Sequence, residues 1–104
     1  MSTDPAAGPQ RAHPPFDLDA PWQLHPQVSV RPERFGALLY HFGTRRLSFL
    51  KHPALLTVLQ SLASEPTARA ACTAAGITAG ELPAYRAALA TLAGSRMICE
   101  RTGP

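Results

Sequence analysis

The chain has 104 residues, enough for one small domain and too few for two packed catalytic domains. Its hydrophobic share is 45%, but 18 of those residues are alanine and only 29 larger apolar side chains remain, which suits a domain of roughly 70 to 80 residues. The formal net charge of +3 is uneven: residues 1–26 sum to −2 and residues 27–104 to +5, so an acidic arm precedes a basic domain suited to acidic partners.

Residues 1–26 hold six of the eleven prolines and few apolar residues before Phe16. Such a stretch recovers little of its ordering entropy by burial, so residues 1–21 are expected to form a disordered, acidic, proline-rich arm ahead of a domain at 22–101. Trp22 and Leu24 are its first anchors, with Trp22 read as a packing peg. Within the arm, Phe16-Asp17-Leu18-Asp19 alternates apolar and acidic side chains. It reads either as an extended ligand that competes for a basic strand edge or as a solvated tail.

From Val28 the pattern has period two. Val28 and Val30 face one way, Ser29 and Arg31 the other, and Pro32 is expected to end this strand. Residues 37–42 are apolar on both faces, as a central strand is. Gly43-Thr44 suits a two-residue type II′ turn with glycine at the positive φ, and residues 47–51 make a third strand. Helical spacing of Leu55, Leu56, Leu59, Leu62 and Ala63 predicts a helix over 53–64. A short alanine-rich helix over 67–75 should end at Gly76. Thr78 and Glu81 have capping-box spacing, and Leu82, Tyr85, Leu89, Leu92 and Arg96 step along one face of a third helix over about 80–93, stopped at Gly94. A short extended tail over 96–100 points Met97 and Ile98 inward. These elements make an α+β fold, a small winged-helix-like domain in which a three-stranded antiparallel β-meander is followed by three helices.

Catalytic chemistry finds little here. His13, His25, His41 and His52 pair with no second ligand at zinc spacing and read as surface or strand-end histidines. Cys72 and Cys99 are too few for a disulfide framework or a multi-cysteine metal site and read as reduced, inert thiols. No phosphate-binding glycine loop occurs. Neither an apolar run of 18 residues nor a signal-peptide core is present, so the protein is expected to be cytoplasmic, with no membrane partner. No cofactor and no catalytic residue is expected, and binding is the better class.

Two binding modes compete. A winged helix reading DNA needs several phosphate contacts, yet the third helix offers Arg86 alone with Arg96 just beyond, and the hairpin adds only Arg45 and Arg46. The other mode is β-augmentation, in which an extended peptide joins an open sheet edge. The first strand is blunted by Pro26 and Pro32. The third combines Leu47, Phe49 and Leu50 around Ser48 with Arg45, Arg46 and Lys51 at its ends, which makes it the better template. From these residues alone, peptide docking and an ordinary core with a solvated rim stay equally open, although alternation leaves at most one of Phe49 and Leu50 in the core.

The run from Leu24-His25-Pro26-Gln27-Val28 through Arg31-Pro32-Glu33 and on from Phe35 to Leu50 resembles the mycofactocin-biosynthesis chaperones, a family of PqqD-like RiPP recognition elements. The likeness covers about residues 22–100 and is densest over 35–50. It implies a non-catalytic peptide chaperone that binds the leader of a ribosomally synthesised precursor peptide and presents it to a radical S-adenosylmethionine maturase, with no nucleic acid. The maturase would carry the iron-sulfur clusters. The resemblance further implies a leader that pairs with the third strand, at Leu47 to Lys51, and rests on Tyr85, Arg86, Leu89 and Arg96 of the third helix. A small DNA-binding winged helix is the alternative and an enzyme comes third.

Overall fold

The computed structural model describes residues 16–34 and 36–101. Its elements, in chain order, are β1 (Trp22–Leu24), β2 (Val28–Glu33), β3 (Gly36–His41), β4 (Arg46–Leu50), α1 (Pro53–Ser61) with a 3₁₀ turn (Leu62–Ser64), α2 (Ala68–Ala74), α3 (Leu82–Gly94) and β5 (Ile98–Glu100). The expected α+β meander with three helices is present. Strands β2, β3 and β4 form an antiparallel sheet in that order, with β3 in the centre. A second, two-stranded ribbon pairs β1 with β5, so the extended tail has a partner at the other end of the chain, with Gln23 opposite Cys99.

One face of the meander meets the helices. Ala37 and Leu39 of β3 and Leu50 of β4 are buried there with Leu55, Val58 and Leu59 of α1, Leu62, Leu89 and Leu92 of α3, and Met97 and Ile98 beside β5. Both inward residues of the tail are therefore in the core, as their spacing predicts.

Helix ends follow local chemistry. Thr67 caps α2, its hydroxyl accepting the Ala70 amide at 3.0 Å. Beyond Ala75, Gly76 takes φ 84° while Ile77 N donates to the Cys72 carbonyl and Gly76 N to that of Thr73, the paired bonds of a Schellman motif. Before α3, the Thr78 hydroxyl accepts the Glu81 amide at 3.2 Å and a Glu81 carboxylate oxygen accepts the Thr78 amide at 3.0 Å, which closes the capping box.

Three expectations need correction. Residues 16–21, assigned to the disordered arm, are packed: Phe16 and Leu18 are buried, and Phe16 stacks on Trp22 at 4.4 Å. The cause lies at α2, whose first amides have no partner inside the helix. Ala68 N donates to the Ala20 carbonyl at 3.2 Å and Arg69 N to that of Leu18 at 2.8 Å. This seat is on the helices, so Phe16 and Leu18 are no ligand for the β4 edge. The arm expectation for 1–15, like the match at Phe35, lies outside the described residues.

Pro32 does not end β2, which runs on to Glu33. The Phe42 amide donates to the Gln27 carbonyl at 2.9 Å, and alternation then puts the bonded pairs at Ser29 with Tyr40, Arg31 with Leu38 and Glu33 with Gly36. Pro32 falls at an unbonded position, where the ladder asks for no N–H.

The β3–β4 turn is a four-residue loop, with Arg45 N donating to the His41 carbonyl at 2.7 Å. Positive φ belongs to Arg45, at 62°, rather than to Gly43. Glycine at 43 leaves room for its neighbours, because a Cβ there would push the end of the Gln27 side chain aside and sit 2.9 Å from His41 Cε1.

Helix α3 ends at Gly94, as expected, although this glycine is not the left-handed residue that closes it. The left-handed position is Arg96, at φ 64°, with Met97 N bonded to the Leu92 carbonyl and Arg96 N to that of Ala93. The same Schellman bonds that α2 closes with glycine are closed here with arginine.

Candidate functional site

Register decides what β4 can offer. Because β3 turns the backbone groups of Tyr40 and Leu38 toward β2, those of Leu39 and Ala37 turn toward β4, where their partners are Ser48 and Leu50. The N–H and C=O of Leu47 and Phe49 consequently point out of the sheet on its open side. Side chains divide by the same alternation: Leu50 is 4% exposed, Leu47 61% and Phe49 48%. Of Phe49 and Leu50, only Leu50 is core.

Where β4 runs into α1, a groove of about 460 Å³ opens between the start of α1 and the face of α3. Its walls are His52, Leu55, Glu81, Ala84, Tyr85 and Ala88. Alanine at 84 and 88 keeps the α3 wall low, and Tyr85 supplies an apolar ring with a polar tip. The open backbone of β4 and this groove together can hold an extended chain, whose alternate side chains would enter the groove and lie on the outer face of the sheet.

The expected contact residues are not all brought together. Arg45, Arg46, Leu47, Ser48, Phe49 and Lys51 lie along the open strand and its ends, and Tyr85 lines the groove. Leu50 and Leu89 are in the core, Leu89 with no exposed surface, so they support the site from beneath. Arg86 is turned to the other side of α3, where its Nε donates to the Phe16 carbonyl at 3.1 Å and it lines a separate cavity with Asp17, Asp19 and Arg69. Arg96 sits past the far end of α3, close enough to His41 to act on its charge. His52, Leu55, Ala84 and Ala88 were missed; the signal available was the small-residue spacing of Ala84 and Ala88, one turn apart beside Tyr85.

His41 is a strand-end histidine, the last residue of β3, but a buried one, 2% exposed. Its Nδ1 accepts the amides of Gly43 at 3.0 Å and Thr44 at 3.1 Å, so it organises the turn that leads into β4. Its ring lies 4.4 Å from that of His25, and its Nε2 has no partner among the described residues. Burial holds the imidazole below its ordinary pKa, and the charges of His25 and Arg96 press in the same direction.

Both thiols are free. Burial pushes the Cys72 thiol up, away from nucleophilic reactivity, and Cys99 accepts a long 3.8 Å contact from Gln23 Nε2. No group of three metal-ligating side chains is found among the described residues, and no described helix is long and apolar enough to cross a membrane.

The model of the peptide chaperone MftB family matches residues 21–99. The chain is 59% identical over 83 residues to peptide chaperone MftB of Mycobacterium ulcerans (strain Agy99), covering 80% of this chain and 76% of that one. It is 57% identical over 86 residues to peptide chaperone MftB of Mycobacterium tuberculosis (strain ATCC 25618 / H37Rv), covering 83% and 79%. These relatives are named as chaperones and not as enzymes, in line with the non-catalytic expectation. No solved structure matches the chain.

Proposed function

The chain belongs to the peptide chaperone MftB family, and from that premise we propose that it binds the leader of a ribosomally synthesised precursor peptide by adding it to β4, and presents it to a radical S-adenosylmethionine maturase. The observation that carries this reading is the open edge of β4, whose Leu47 and Phe49 backbone groups face solvent beside the α1–α3 groove. An extended leader would gain two bonded residue pairs there, each hydrogen bond worth about 0.5 to 1.5 kcal/mol net. Its side chains opposite Ser48 and Leu50 would enter the groove. Arg45, Arg46 and Lys51 at the strand ends favour an acidic leader. In this reading the protein acts in the cytoplasm, where its two thiols stay reduced, and takes no nucleic acid.

The test uses proline as a probe of backbone direction. Phe49→Pro deletes an outward amide and should weaken binding of a synthetic leader about 3- to 10-fold, read by fluorescence anisotropy, with a modest loss of stability. Ser48→Pro deletes an amide paired with Leu39 and should instead destabilise the fold. A folded Phe49→Pro protein with undiminished leader affinity removes β4 as the docking edge. A duplex DNA titrated alongside supplies the contrasting outcome: tight, steeply salt-dependent binding to DNA and none to the leader rejects the reading.

A further inference from the structure

The outer face of the meander carries an apolar patch that the fold does not consume. Leu38 and Tyr40 of β3 pair with Phe49 and Leu47 of β4, which sets all four side chains on the face opposite the core. Phe42 joins them from the hairpin, its ring 5.1 Å from that of Tyr40 in an edge-on contact. Phe42 and Leu47 keep 61% of their surface in water and Phe49 keeps 48%. Single exposed apolar residues are ordinary on a monomer, but a contiguous group marks an interaction surface.

Charge around the patch selects the occupant. Residues 28–51 contain Arg31, Arg34, Arg45, Arg46 and Lys51 against Glu33, a net of +4. Arg31 stands beside Leu38 in the register and is 74% exposed at its side chain, with Glu33 3.9 Å away. A second copy of this chain docking face to face would set this cationic rim against itself, since a twofold contact uses the same patch twice. The complementary surface is an apolar patch rimmed by carboxylates.

We propose that this outer face docks such an acidic-rimmed surface of the enzyme that modifies the bound peptide, while the β4 edge is left to the peptide itself. The proposal rests on the presenting role given above. It follows the geometry of β4, whose backbone at Leu47 and Phe49 serves the edge while the side chains of the same residues serve the face. A strand added to β4 would lie about 4.8 Å from it, so the enzyme and the peptide would meet along one line of residues.

The experiment titrates the full chain with the purified radical enzyme and, separately, with the synthetic leader. Tyr40→Thr combined with Phe42→Ser should lower enzyme affinity at least about tenfold and leave leader affinity within about twofold, because neither side chain belongs to the peptide site. Arg31→Glu should weaken enzyme binding more at low salt than at high salt. Folding of each variant is checked by thermal melt, and Arg31→Glu, on an exposed side chain, keeps the test alive if the double variant unfolds. Wild-type enzyme affinity in folded variants overturns the proposal, as does a wild-type dimer that the double variant dissolves or binding of anionic phosphatidylserine vesicles that the variants abolish. Leader binding without any enzyme binding by the wild type overturns it together with the presenting role, whereas leader binding with variant-insensitive enzyme binding overturns this proposal alone.

Discussion

The two faces of the β2–β3–β4 sheet are built from the same kinds of residues and do opposite work. On the core face Ala37, Leu39 and Leu50 are closed in by the helices; on the outer face Leu38, Tyr40, Leu47 and Phe49 occupy alternate positions of the same strands, and both β4 residues stay in water. Apolar character is thus no guide to which face stabilises the fold. The core face is defined by what covers it, and the uncovered face keeps an unspent capacity to bury surface against another molecule.

The largest effect that separates the faces is truncation to alanine. Leu39→Ala, which has no exposed surface, should cost about 2 to 5 kcal/mol in a denaturant melt. Leu47→Ala, on the outer face, should change stability by no more than about 0.5 kcal/mol. A comparable loss at Leu47 would mean that the outer face is part of the fold, and the contrast would collapse.

Acid should act on the covered face first. His41 belongs to it, and burial lowers its pKa beneath the ordinary value of 6.5. The unfolded chain therefore binds the proton more readily, so His41 contributes stability that is full above about pH 6.5 and is lost as pH falls from there through its lower folded value. Protonation would also place a proton on Nδ1, which now accepts the Gly43 and Thr44 amides, so hydrogen exchange at those two amides should speed up over the same window. His41→Gln should flatten the stability profile there. A wild-type profile that stays flat at these amides as pH falls below about 6.5 would refute the assignment.

The smallest effect starts at a residue that lies on neither face. Arg96 holds a left-handed conformation that costs a side-chain residue about 1 to 2 kcal/mol, and glycine returns part of that to the unfolded chain as entropy. Arg96→Gly should raise stability by about 0.5 to 1 kcal/mol. It also removes a positive charge that depresses His41, so the acid-induced loss should begin at lower stability cost and the His41 titration should move up. A destabilised Arg96→Gly would show that the arginine side chain makes contacts worth more than its backbone strain.

Legibility followed the range of the interaction. The three meander strands, the Thr67 to Gly76 helix and the Thr78–Glu81 capping box rest on neighbours within a few positions, and the chain announces them through period and cap chemistry. The arm boundary was misjudged because proline content averages over a window, whereas two side chains, Phe16 and Leu18, decide whether residues 16–21 pack. Gly94 does end α3, but the left-handed residue that closes it is Arg96, a position fixed by the Leu92–Met97 bond and not by any local preference of arginine.

By itself the sequence determined the α+β class, the central place of β3 and the basic character of the meander, because each depends on local alternation or charge. Only the tertiary structure decided that Leu47 and Phe49 face outward in backbone and side chain alike, that Arg86 and Leu89 stand away from the groove while Ala84 and Ala88 line it, and that His41 is sealed behind the hairpin. Those outcomes depend on register and on contacts between segments tens of residues apart, such as Trp22 with Glu100. A single-residue slip in register would reverse every facing assignment in the strands without changing a single local propensity.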